Sequence, residues 1–109
     1  MDDSGYQFVA VADVESLPEG KGRTVHVRGR EYAIYHLPDG FAAIDDACTH
    51  RDASLGAGFL HDGCVICPLH GWTFDLKTGR CHNNGARPVR TYPTRIENGK
   101  VMLGLPDGR

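Results

Sequence analysis

Short runs of alternating or continuous apolar residues recur along this chain, each closed by residues that favour a turn. Candidate strands fall at residues 7–11, 24–28, 31–37, 41–45, 64–67, 73–75, 89–92, 94–96 and 101–104. Between them stand "RGRE" around Gly29, "LPDGF" at 37–41, "LKTGR" at 76–80 and "ENGK" at 97–100. Asn98-Gly99 is the strongest of these turn signals. A type I′ turn needs positive φ at both central positions, and Asn-Gly tolerates that, so "TRIE" and "KVMLG" are expected to form a tight hairpin. No window of a dozen residues carries a convincing 3.6-residue apolar period. "DVESLP" has the makings of one helical turn that Pro18 ends. The pattern predicts an all-β domain of mostly antiparallel sheets, with residues 47–63, which include Gly56, Gly58 and Gly63, as a projecting loop.

Totals narrow the function classes. A chain of 109 residues forms one domain and is too small to pair a cofactor domain with a substrate domain. The net charge of −2, with Lys and Arg scattered, gives no general attraction for nucleic acid or anionic lipid. No stretch reaches the roughly 18 apolar residues of a membrane span, and the acidic start lacks the basic and then apolar pattern of a signal peptide. A soluble, cytoplasmic protein is expected. In that compartment four cysteines, Cys48, Cys64, Cys67 and Cys81, point to metal ligation before disulfides.

The chemistry concentrates in "CTH" at 48–50 and "CPLH" at 67–70, with sixteen residues between His50 and Cys67. Each segment presents one thiol and one imidazole to a common point, so together Cys48, His50, Cys67 and His70 offer two thiolates and two imidazoles. That set suits zinc, and equally an iron–sulfur cluster with one iron on thiolates and the other on imidazoles. Zinc fingers and ribbons usually pair like with like, whereas here each loop mixes the two.

The spacing C-x-H, sixteen residues, C-x2-H, followed by Gly71 and an aromatic, resembles the cluster-binding signature of Rieske proteins. The likeness extends through "GFAAIDDACTHRDASLGAG", "CPLHGWTFDLKTGR" and "ARPVRTYPTRIENGKVML", and covers residues 6–105. It implies stacked antiparallel sheets in a single domain over residues 1–109, with a small cluster-binding part at about 46–75. It implies one [2Fe-2S] cluster, with Cys48 and Cys67 on the inner iron and His50 and His70 on the outer, and "ARPV" at 86–89 as a covering loop. Two ferric ions, two sulfides and two thiolates balance to zero charge, where four thiolates would leave the cluster negative, so histidine ligation raises the potential. The exposed imidazole nitrogens can also exchange protons as the redox state changes.

What is missing sorts the family's branches. Neither the large mononuclear-iron domain of the oxygenase subunits nor a membrane anchor is expected in 109 residues with no long apolar run. The loop positions that form a disulfide in the respiratory members are taken by "RDA" at 51–53 and by Leu69. The serine and tyrosine hydroxyls that bond the sulfurs in those members match Trp72 and Phe74. The resemblance therefore implies a low-potential electron carrier without catalytic residues of its own, working between a flavin-dependent reductase and a terminal dioxygenase. The alternative is the small, non-catalytic subunit of an NADH-dependent nitrite reductase, with the large siroheme subunit as partner.

Of the remaining candidates, "CVIC" at 64–67 invites a dithiol reading, but three positions along a strand place the two side chains on opposite faces. Cys64 is expected in the core and Cys67 toward the cluster, with Cys81 an idle thiol. His26, His36, His61 and His82 read as surface or strand residues, and Asp45-Asp46 as a solvated or docking pair.

Overall fold

The computed structural model describes residues 5–47, 54–68, 71–83 and 87–106. Ten strands run in the order β1 (Tyr6–Asp13), β2 (Gly22–Val27), β3 (Arg30–Leu37), β4 (Gly40–Asp45), β5 (Phe59–His61), β6 (Cys64–Ile66), β7 (Thr73–Asp75), β8 (Thr91–Tyr92), β9 (Thr94–Glu97) and β10 (Lys100–Pro106). They form three sheets, ordered β1-β10-β9, β2-β3-β4-β8 and β5-β6-β7, and all their pairings are antiparallel. Single 3₁₀ turns occur at Val14–Ser16, where "DVESLP" suggested one, and at Leu55–Ala57.

Every strand expected from the sequence is present. Asn98 and Gly99 have φ of 52° and 73°, which makes the β9–β10 connection the expected type I′ turn. The difference lies in the supposed loop at 47–63, which holds a 3₁₀ turn and β5 and ends in a second positive-φ pair, Asp62 and Gly63. Asp-Gly between two apolar runs is itself a hairpin signal, but β5 is only three residues long and alternates weakly.

The four-stranded sheet lies between the other two, because β3 is apolar on both faces. Tyr32 and Ile34 point to one side and pack with Leu17, Val25, Ala43, Tyr92, Leu103 and Leu105. Ala33, Tyr35 and Leu37 point to the other and pack with Ile44, Leu55, Val65, Cys67, Phe74, Leu76 and Val89. The period-2 rule thus assigns alternate β3 residues to two cores. In the first, the sheet formed by the two ends of the described chain covers the middle sheet. In the second, the short β5-β6-β7 sheet covers it, and that core reaches the second Cys/His motif.

Leu103 on β10 is fully buried in the first core. Leu103→Ala is expected to cost about 2–5 kcal/mol in urea unfolding, while Ile96→Ala, at a position 54% exposed, should change stability by no more than about 0.5 kcal/mol.

Candidate metal centre

Of the four expected ligands, Cys67 is described; Cys48, His50 and His70 lie outside the described residues, as do residues 51–53, Leu69 and Ala86. Cys67 follows directly on β6, is 2% exposed and is not in a disulfide. Its backbone is held at both groups: its N–H donates to the Trp72 carbonyl at 2.7 Å, and its carbonyl accepts from Gly71 N–H at 3.0 Å. Gly71 has φ of 74°, a conformation costly for a residue with a Cβ. The second motif is therefore closed at its base by Cys67 on one side and Gly71 and Trp72 on the other.

The first motif is closed at its base in a comparable way. Ala47 bridges to Ser54, and Leu55 N–H donates to the Asp46 carbonyl at 2.7 Å. The Asp46 side chain reinforces this closure. Its Oδ1 accepts from Thr24 Oγ1 at 2.9 Å, Ser54 Oγ at 3.0 Å and Gly56 N–H at 2.9 Å. Gly56 is required there, since a Cβ would stand 2.2 Å from Thr24 Oγ1. Asp46 is buried, and Asp45 accepts from the Tyr92 hydroxyl at 2.6 Å. The two adjacent acids are thus structural, contrary to the reading of a solvated or docking pair.

The two bases meet in one core. Leu55, at the exit of the first motif, and Cys67, at the entrance of the second, belong to the same buried cluster. Tyr35 joins them from β3: its hydroxyl donates to the Leu55 carbonyl at 2.6 Å. Burial, and then the charges of Asp46 and Cys67, push the Tyr35 pKa far up, so this phenol stays a donor. Val89, the last residue of "ARPV", enters the same cluster, and its N–H donates to Gly79 at 2.8 Å. Phe74 is fully buried beside them, with Trp72 half-buried at the margin.

A family model, the Rieske [2Fe-2S] domain, matches residues 7–93. The chain belongs to this family. It is 37% identical over 99 residues to the ferredoxin component of the naphthalene 1,2-dioxygenase/salicylate 5-hydroxylase systems of a Ralstonia species, covering 90% of this chain and 95% of that one. A chain in the complex of reduced oxygenase and oxidized ferredoxin in carbazole 1,9a-dioxygenase superposes with a TM-score of 0.81 at 30% identity, covering 88% of this Rieske chain and 91% of its own length. A protein assigned as a nitrite reductase NADPH small subunit superposes with a TM-score of 0.80 at 26% identity, covering 89% and 97%. Family membership implies an iron–sulfur cluster, and a buried, reduced Cys67 anchored between two strand ends is a suitable thiolate donor for one.

Cys64 is buried, as expected, but outside the two main core clusters. It does point away from Cys67, but Val65 and Phe74 occupy the core face, so Cys64 lies on the outer face of its sheet opposite Asp75. Cys81 bridges to Phe74 and is half-buried, with its thiol 3.8 Å from Asn83 Oδ1. Asp46, Tyr35 and Leu55 escaped the sequence reading, since nothing local marks which of two adjacent acids turns inward.

Asp46→Ala leaves two hydroxyls and one N–H without their shared acceptor. It is expected to cost about 3 kcal/mol in urea unfolding and to lower the iron bound per folded chain. Asp46→Asn, which keeps an oxygen at Oδ1, should lose less than half as much.

Proposed function

We propose that this Rieske protein is a one-electron carrier that takes electrons from a flavin-dependent reductase and delivers them to a terminal oxygenase in the cytoplasm. The observation that carries the reading is the meeting of the two motif bases at Leu55, Cys67 and Tyr35, within a chain similar along nearly its whole length to a dioxygenase ferredoxin component. Cys48, His50, Cys67 and His70 are the proposed ligands of one [2Fe-2S] cluster, in a single domain whose cluster-binding part spans about 46–75. When bound, that cluster supplies reversible one-electron storage. The chain's own residues position and seal it. Asp46 and the Gly71–Cys67 hydrogen bond hold the bases of the two motifs, Tyr35 keeps them in register, and Phe74 with Leu55 keeps water from the thiolate side.

The nitrite reductase small-subunit reading shares this fold, and the higher identity to the oxygenase ferredoxin component favours the oxygenase. No helix among the described residues is long and apolar enough to cross a membrane.

Purified protein is expected to contain iron and acid-labile sulfide at two each per chain, and Cys67→Ser to lose both. It should restore NADH-driven turnover when added to a flavin reductase and a ring-hydroxylating oxygenase. Zinc without sulfide would overturn the cluster assignment, and stable co-purification with a siroheme enzyme would move the function to nitrite reduction.

The potential is expected toward the low end of the Rieske range of about −150 to +300 mV, because neither Phe74 nor Trp72 matches the hydroxyl donors of the high-potential members. Phe74 is packed in the same core as Cys67 and, by the resemblance, holds the position of the tyrosine that bonds a sulfur in the high-potential members, so Phe74→Tyr tests that bond. A hydrogen bond to a charged acceptor is worth roughly 1.5–3 kcal/mol, which corresponds to an upward shift of about 65–130 mV for one electron. Protein-film voltammetry of the two proteins gives the answer; a wild-type potential well above zero, or an unshifted variant, contradicts it.

A further inference from the structure

The outer face of the β5-β6-β7 sheet carries a second group of metal-binding side chains, separate from the two Cys/His motifs. Cys64 on β6 and Asp75 on β7 are direct cross-strand partners, so their side chains share a face. The chain then turns through Leu76–Arg80 and returns beside β7, with Asp75 N–H donating to the Arg80 carbonyl at 2.8 Å and His82 N–H to the Thr73 carbonyl at 2.9 Å. This pairing places His82 opposite Thr73, on the same side as Asp75. One ligand atom from each of Cys64, Asp75 and His82 lies within 4.8 Å of the other two.

We propose that Cys64, Asp75 and His82 form a site for a borderline divalent transition metal, zinc being the best match, that clips together the two strands bearing the second motif. Four observations support it. The donor set of one thiolate, one imidazole and one carboxylate matches zinc in softness. Zinc bond lengths and a tetrahedral angle require ligand atoms about 3.4–3.6 Å apart, which side-chain rotation within the observed 4.8 Å limit supplies. The carboxylate is already oriented, because Lys77 N–H at 2.8 Å and Thr78 N–H at 3.0 Å both donate to its Oδ1. Finally, a divalent ion balances the thiolate and the carboxylate, so the occupied, half-buried site carries no net charge.

Those same turn bonds hold the Asp75 carboxyl below its ordinary pKa and keep it ionised. Burial, then Asp75 and Asp62, hold the Cys64 thiol above its ordinary pKa, so it is protonated without metal. Binding therefore replaces the Cys64 S–H bond with a metal–sulfur bond and releases one proton to solvent, with no change of oxidation state. Water takes the fourth position. Cys64 stands three residues before Cys67, about 10 Å along the strand, so the ion would tie β6 to β7 at the end of their pairing away from Cys67. His82, read from sequence as a surface residue, becomes a ligand only because the turn at 76–80 folds it back.

The test uses cluster-loaded protein titrated with zinc chloride by calorimetry in two buffers of different ionisation enthalpy, with zinc and iron counted per chain after desalting. The expected result is one zinc per chain, about one proton released, and iron content unchanged. Cys64→Ser and His82→Gln should each weaken zinc binding at least roughly tenfold, and Cys81→Ser should not. His82 is exposed, so its variant reads binding without a folding defect. Failure to bind zinc, zinc uptake matched by iron loss, or equal affinity in the His82→Gln protein would overturn the proposal.

Discussion

The structure depends on a single strand being buried on both sides. β3 contributes Tyr32 and Ile34 to one core and Ala33, Tyr35 and Leu37 to the other. A sheet with one wet face would need only one covering layer; a strand with four consecutive fully buried residues, Tyr32 to Tyr35, needs two. The outer sheets supply them. Among the described residues the one built from β1, β10 and β9 adds nothing to the core around Cys67, and the one built from β5, β6 and β7 leads directly into Cys67.

From that constraint the centre follows. Tyr35 lies on the site side of β3 because of its parity with Ala33 and Leu37, and its hydroxyl reaches the Leu55 carbonyl. Leu55 is the first residue of the 3₁₀ turn that brings the chain back from the first motif, and Asp46 fixes the same turn through Gly56. The hairpin that presents Cys67 rests on this assembly through Val65 and Phe74. Gly58 is the close point of contact: a Cβ there would lie 2.5 Å from the Ile66 carbonyl oxygen. Glycines at 56 and 58, which look like loop punctuation in the sequence, are packing residues that let β5 and β6 approach the central sheet.

Much of this was legible in the chain. Long alternating strands were visible because β2, β3, β4 and β10 each span six or more residues, and the Asn98-Gly99 turn because its chemistry admits little else. β5 was missed because three residues, two of them exposed, cannot establish a period. The Cys64 and Cys67 faces were correctly separated by parity, but parity does not say which face is the core; Val65 and Phe74 decide that across a pairing the sequence does not reveal. Asp46 reads from sequence as part of a solvated or docking pair because its partners Thr24, Ser54 and Gly56 are distant in sequence or outwardly unremarkable.

The three sheets share no hydrogen-bonded ladder; among the described residues each is complete in itself. Backbone ladders demand a fixed register, whereas side-chain packing asks only for volume and apolarity. The sheet that carries the second motif is thus joined to its neighbour by the less exacting kind of contact. Substitutions on the two faces of β3 fall on different neighbours and combine nearly additively when well separated. Sequence drift that adjusts one core therefore leaves the other free to keep its own solution, and a lineage can retune its electron-transfer end while the opposite end records an independent history.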